Sequence, residues 1–354
     1  MKLPYKRKRR VDGFRRGSGR LHPRVPPLAL AIAAMLAVPL AAHDTVTLRG
    51  KAGGETRVTG QIVDYTGREM TVQLTGGTTQ RFPAEQVLEV RSPRTQEHSQ
   101  ADEQFAQGRF ADALTMYRAA LDAEPRRWVR REILAQAVRC YDALGRSAEA
   151  GTFFLLLVDD DPDTPHFDCI PLGWVPGRPD AALEQAARDW LNSDRPVAVL
   201  LGASHLLSTA LQPRASARLG ELQSTADPRV ARLAEAQRWR VEALQSTPAQ
   251  RARWARAIEA IPEPLQAGPN FVLGQAQARA GEYEQAALSL LRVALVYPRQ
   301  RPLAARAVLE AARALENTTH ADRAARLYRE LVDEYQDQPR IVVEARSRLG
   351  SAKK

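Results

Sequence analysis

ADEQFAQGRFADALTMYRAALDAEP, residues Ala101 to Pro125, has its small and aromatic residues where a helical hairpin needs them. Ala101 and Gly108 flank the end of a first helix and Phe110 opens the turn. Ala113, Tyr117 and Ala120 then follow at helical spacing on one face of a second helix, which Pro125 closes. Small residues let two antiparallel helices approach closely, and the aromatic ring fills the gap between them. A unit of this size cannot bury its apolar face alone, so the stretch predicts further copies.

The same frame returns three times. Val138, Tyr141, Gly145, Ala150, Phe154, Leu157 and Pro162 occupy it next, with a helix predicted from about Trp128 to Leu144. Gly274, Gly281, Tyr283, Ala286, Leu290, Ala294 and Pro298 give the most regular copy. A looser one has Ala312, Leu315, Ala324, Tyr328 and Leu331, with Thr319 in place of the turn glycine and a late Pro339. This pattern resembles the tetratricopeptide repeat, a helical hairpin of about 34 residues. The resemblance implies an α-solenoid that holds a protein or peptide partner on its concave face, lined by the first helix of each repeat. On the matched copies that face carries His98, Asp102 and Phe105, then Glu132, Arg139 and Asp142, then Phe271, Gln275 and Arg279. The Lys and Asn with which the chaperone-binding branch holds a partner's terminal carboxylate are absent at such positions. The C-terminal block also resembles repeats of bacterial envelope-assembly proteins.

The formal charge of +10 suggests nucleic acid until it is located. Ten of the 51 basic residues, with Asp12 as the one acid, precede His43, so the rest of the chain is nearly balanced. The basic run ends in an apolar stretch, LALAIAAMLAVPLAA from Leu28 to Ala42, with small residues at its close. That order matches a secretory signal peptide cleaved after Ala42. The alternative is an uncleaved anchor, although the run is short of the roughly 20 residues of a membrane span. No cysteine stands at the junction for lipid attachment. The pair Arg9–Arg10 lacks the usual surroundings of a twin-arginine signal.

From Asp44 to Ser92 the period changes to alternation. DTVTLRG, ETRVTGQIVDYTG, REMTVQLTGG, TTQRFP and EQVLEVRS predict five short strands divided by glycine turns, with Val46, Leu48, Val58, Ile62, Val63, Met70 and Val72 among the core residues. This resembles a small SH3-like or Sm-like barrel. Sm-like barrels can bind RNA, but the segment's six basic residues are matched by six acids, where a phosphate-binding face needs an excess. No nucleic-acid partner is expected.

Three places invite an enzyme or metal reading. Asp159, Asp160, Asp161, Asp163, His166 and Asp168 cluster oxygen ligands in an irregular stretch, DDDPDTPHFDCIPLGWVPGRP, but lack the ligand order and glycine of an EF-hand. A solvated loop is expected there, packed down by Phe167, Ile170, Leu172, Trp174 and Val175. VAVLLGASHLL, from Val197, mimics a strand running into a nucleophile turn at Ser204. Leu206 stands where the second glycine belongs and the flanks are helical, which predicts a buried helix instead. Cys140 and Cys169 can pair in an oxidising compartment, or remain separate thiols. No zinc, phosphate-loop or dinucleotide motif occurs, and no cofactor is expected.

Between the repeat blocks, Asp227–Pro228 and Thr247–Pro248 are helix starts. Trp190, Trp239 and Trp254 fall on amphipathic faces as core. The expected organisation is a signal peptide (1–42), a five-stranded β-barrel (43–93), a repeat pair (94–165), a packed loop with degenerate hairpins (166–262) and C-terminal repeats with a capping helix (263–350). The expected role is a non-catalytic protein-binding scaffold of the periplasm or cell envelope, with peripheral envelope association. The alternative is a metal-dependent or serine hydrolase, or an accessory subunit of an envelope enzyme.

Overall fold

The computed structural model describes residues 43–50 and 53–351. The predicted leader and its cleavage point lie outside the described residues. Five strands form as expected: β1 (Asp44–Arg49), β2 (Glu55–Tyr65), β3 (Glu69–Leu74), β4 (Thr79–Pro83) and β5 (Val87–Arg91). They make one antiparallel sheet in the order β4-β3-β2-β1-β5. The predicted barrel is corrected here, because the sheet stays open. Closure would require β4 to pair with β5, but the one-turn 3₁₀ segment Ala84–Gln86 between them replaces a hairpin turn, and β5 pairs with β1 instead. Val46, Leu48, Ile62, Met70 and Val72 are buried, whereas Val63 is 55% exposed. The register explains the exception: Ile62 faces Val72 and Asp64 faces Thr71, so Val63 is the extra residue of a bulge.

The helical part begins with α1 (Gln96–Ala106), α2 (Phe110–Ala123), α3 (Arg127–Ala143) and α4 (Ser147–Asp160). It continues with α5 (Ala181–Leu191), α6 (Pro196–Leu206), α7 (Gln212–Glu221), α8 (Pro228–Glu242) and α9 (Pro248–Glu259). It ends with α10 (Ala267–Arg279), α11 (Tyr283–Val296), α12 (Arg301–Glu316), α13 (Ala321–Glu334) and α14 (Pro339–Ser351). Successive helices pack as hairpins, α1 on α2, α3 on α4, α5 on α6, α10 on α11 and α12 on α13. The fold is therefore a helical-hairpin solenoid preceded by a sheet. Ala101, Ala113, Tyr117 and Ala120 are buried, as are their counterparts in the other copies.

The three glycine turns share one geometry. Gly108, Gly145 and Gly281 have φ of 72, 70 and 79°, a region where a side chain is strained. After each, a backbone N–H reaches back five residues, as in Arg109 to Gln104 and Glu282 to Gln277, both 2.9 Å. This is the Schellman closure of a helix. The fourth copy lacks glycine and solves the turn differently: the Thr318 hydroxyl donates to the Leu315 carbonyl (2.8 Å) and accepts from the His320 N–H (3.1 Å).

The connecting helices start where capping predicted. Asp227 accepts from the Arg229 N–H at 2.9 Å, and Thr247 and Gln250 form a reciprocal capping box. Trp239 and Trp254 are buried and stacked, 5.3 Å between ring centres. The segment with Ser204 is helix α6. At Gly202 a Cβ would lie 2.4 Å from the Ala187 carbonyl oxygen, so the glycine is what lets α5 and α6 touch backbone to backbone.

The array also curls. α12 comes against α3, and residues 168–179, between α4 and α5, line the interior of the curl. Phe167 packs edge-on against Phe154 and lies 4.1 Å beneath the Arg229 guanidinium. Trp174 is buried over Gly268, where a Cβ would collide with the indole. Leu172 is buried as predicted, and Val175 is exposed.

Candidate functional site

The acidic stretch expected as a loop is a set of stitches. Asp159 pairs with Arg195, Asp160 with Arg127 and Arg131, Asp163 with Arg68 and Asp168 with Arg139. Asp161 accepts from the Gly67 N–H at 2.9 Å. The carboxylates thus diverge toward separate partners, and among the described residues no group of three or more His, Cys, Asp or Glu could hold a metal ion.

Arg131 is the centre of this stitching. Its side chain is 3% exposed and donates to Asp160 Oδ2 (2.7 Å), Asp64 Oδ1 (2.6 Å) and the Tyr65 carbonyl (2.6 Å). The bulge at Val63 sets the register in which Asp64 meets it. Nearby, Arg126 donates to Ser92, the Pro93 carbonyl and Glu124, while Asp44 holds the Ile62 N–H at 2.6 Å. The sheet is consequently fixed to α3 and to the α4–α5 segment, and the described residues belong to one compact unit.

The nine predicted partner-facing residues fall into separate places. His98 is fully buried against Tyr117, with a ring nitrogen 2.9 Å from Arg94 Nη1. Asp102 accepts from Arg94 (2.6 Å) and from the Tyr117 hydroxyl (2.7 Å), and Glu132 accepts from Arg94 (2.6 Å). These three serve a closed network around Arg94. Phe105 is half-buried on Phe110, and Phe271 is wholly buried, so its ring faces the core. Gln275 is half-buried, and Arg279 is exposed with no ion pair among the described residues. Only Arg139 and Asp142 come together at a cavity.

That cavity, of about 460 Å³, lies inside the curl. Its walls are α3, the 168–179 segment, α6, α8, the start of α12 and α14. Arg139 makes two hydrogen bonds to Asp168, at 2.9 and 3.0 Å. Burial raises Asp142 from its ordinary 3.8 to about 6. Burial lowers His205 to about 4, and its ring nitrogen lies 2.9 Å from the Pro171 carbonyl. The Cys169 thiol is pushed up to about 12 by burial, and Cys140 behaves likewise. Both cysteines are free.

Arg240 is the member that sequence reasoning missed. Its Nη1 donates to the Ser204 carbonyl and to Gln237 Oε1, both 2.7 Å, while its buried Nε has no partner. Burial lowers its pKa to about 10. One signal was available: its neighbours three and four residues away on α8 and beyond are Ala236, Gln237, Ala243 and Leu244, none of them an acid. Ser204 is fully buried, donates to the Leu201 carbonyl (2.8 Å) and accepts from the Gly173 N–H (3.1 Å). That geometry ties a loop to a helix and leaves no exposed nucleophile.

With this geometry in place, the chain compares with known proteins at one point. The tetratricopeptide repeat family model matches residues 104–168. The match covers α2, α3 and α4 with their glycine turn, the hairpins from which the array starts. No curated protein matches the chain. Tetratricopeptide repeats generally mediate protein–protein interaction, which supports a scaffold role.

Proposed function

We propose that this chain is an exported, non-catalytic scaffold of the periplasm or envelope that binds a protein partner on its helical array. The observation that carries this is the repeat match at 104–168, with the same glycine-turn geometry recurring at Gly281 between α10 and α11. A basic leader with an apolar run ending at Ala42 supports export. The burial of Ser204 and the arginine pairing of the acidic stretch favour a binding role over hydrolysis.

Two measurements test the proposal. N-terminal sequencing of the protein from fractionated cells should begin at His43 in the envelope or periplasmic fraction; a cytoplasmic, unprocessed chain refutes export. Crosslinked capture from that fraction, followed by calorimetry with the purified partner, should give saturable binding. Captured proteins that show no saturable binding when purified refute the scaffold role.

A further inference from the structure

We propose that the cavity inside the curl receives an acidic, extended peptide segment of a protein partner, with half-buried Arg240 as the anchor for one of its carboxylates. The inference rests on the scaffold reading for its premise that the ligand is a protein.

Charge is the first reason. Five arginines, Arg139, Arg178, Arg240, Arg299 and Arg340, line the cavity against the carboxylates Asp142 and Asp168. Asp168 is spent on Arg139. Arg178, Arg240, Arg299 and Arg340 have no ion pair among the described residues. Half-buried Arg240 is costly in this state: its Nε is buried without a partner, and its Nη1 meets two neutral acceptors. An incoming carboxylate would satisfy it by a charge-assisted, two-pronged hydrogen bond, the geometry for which a guanidinium is suited.

Backbone is the second reason. From Trp174 to Pro179 the chain runs WVPGRP along the wall, and among the described residues its carbonyls and the N–H groups of Trp174, Val175, Gly177 and Arg178 make no hydrogen bond. An extended segment can pair with such a free edge, while side-chain pockets beside it supply specificity. Leu172, Leu183 and Leu303 give the same wall apolar patches between the arginines. The four free cations come from four different elements, the loop, α8, the α11–α12 turn and α14. That spread suits carboxylates strung along a chain better than a single compact ion. Two basic stretches of the sequence are poor occupants: residues 352–354 are Ala-Lys-Lys, and residues 1–42 carry ten basic residues and one acid.

The test uses the natively produced protein and fluorescence anisotropy with a labelled octapeptide of alternating Glu and Val. Its Lys–Val counterpart, inorganic phosphate and citrate serve as further arms. The Glu–Val peptide should bind saturably and the Lys–Val peptide should not. Arg240→Met should weaken binding about tenfold or more, the loss expected for one charge-assisted contact. Arg299→Glu with Arg340→Glu, exposed positions whose change leaves the fold intact, should weaken it further. A photocrosslinker at the peptide centre should mark residues 170–179. The proposal is overturned if the acidic peptide fails to bind the folded wild type, or if both variants bind it unchanged. It is equally overturned if phosphate or citrate compete at concentrations near that of the peptide, which would make the cavity a small-anion site. A partner captured with undiminished affinity by both variants would sink this site while leaving the scaffold role standing.

Discussion

Replacing Arg131 by methionine removes the buried centre of the junction between sheet and helices while keeping the volume of its stem. Three charge-assisted or carbonyl hydrogen bonds disappear, to Asp64, Asp160 and Tyr65. Charged hydrogen bonds contribute about 1.5–3 kcal/mol each, but such values do not simply add. Asp160 keeps Arg127, and Asp64 is 36% exposed, so both carboxylates recover some solvation. Asp161, 5% exposed and 3.8 Å from Arg131, loses its nearest cation. Removing one partner of a buried pair costs about 3–5 kcal/mol. The recovered solvation places this case near the lower figure, about 3 kcal/mol. Urea unfolding followed by tryptophan fluorescence measures the loss, and hydrogen exchange locates it. Protection should fall across β2 and the α4–α5 segment together. A loss below about 1 kcal/mol, or loosening confined to α3, would refute the assignment of Arg131 as the junction's fastener. Asp64→Asn in the Arg131→Met background should cost far less than in wild type.

Other expectations follow from the same geometry. Gly67→Ala places a Cβ 1.4 Å from the Asp163 carbonyl oxygen and should lower stability by about 1–3 kcal/mol, while Gly76→Ala, with open space around it, should not; paired melting curves decide. Asp142 holds its proton more tightly folded than unfolded, so its contribution to stability is fully present below about pH 3.8 and is lost as pH rises through about 6. His205 acts oppositely, with a contribution present above its ordinary 6.5 and lost as pH falls through about 4. Asp142→Asn should therefore gain up to about 3 kcal/mol relative to wild type between pH 3.5 and 7, read from urea midpoints; a parallel pair of pH profiles contradicts this. Cys140 and Cys169, buried and held near 12, should resist alkylation at pH 8 until the chain is unfolded, and rapid labelling of the native protein would contradict their burial.

Much of the fold was legible because local rules and tertiary packing agree. The spacing of Ala101, Gly108, Tyr117 and Pro125 marked a hairpin, and the glycines proved to sit where φ is positive. Proline after Asp227 and Thr247 located two helices to the residue. What stayed hidden depends on curvature. Ile62 and Val63 were both expected in the core, but neighbouring strand residues face opposite ways, and Val63, the extra residue of a bulge, points outward. Alternation also cannot say whether five strands close, since that depends on the turn at Ala84–Gln86. His98, Asp102, Glu132 and Phe271 do not face an open groove, for a similar reason. Their helical faces were chosen for an open groove, whereas Arg94 gathers His98, Asp102 and Glu132 into a network of their own and a loop fills the interior. Arg240, Arg299 and Arg340 lie far apart along the chain, and the packing of α8 on α10, α10 on α12 and α12 on α14 brings their elements to one cavity.

The meeting of α3 with α12 has a mechanical meaning. Arrays whose units touch only their neighbours behave as springs: they lengthen under load and unfold piece by piece from either end. Here a late helix rests on an early one, and a tethered segment lies between them. The coil is clasped into a ring. A clasped ring resists stretching until the clasp parts and then gives way as a whole, and it must bring distant residues together before it gains that strength. The clasp converts a compliant strip into a stiffer body of set curvature.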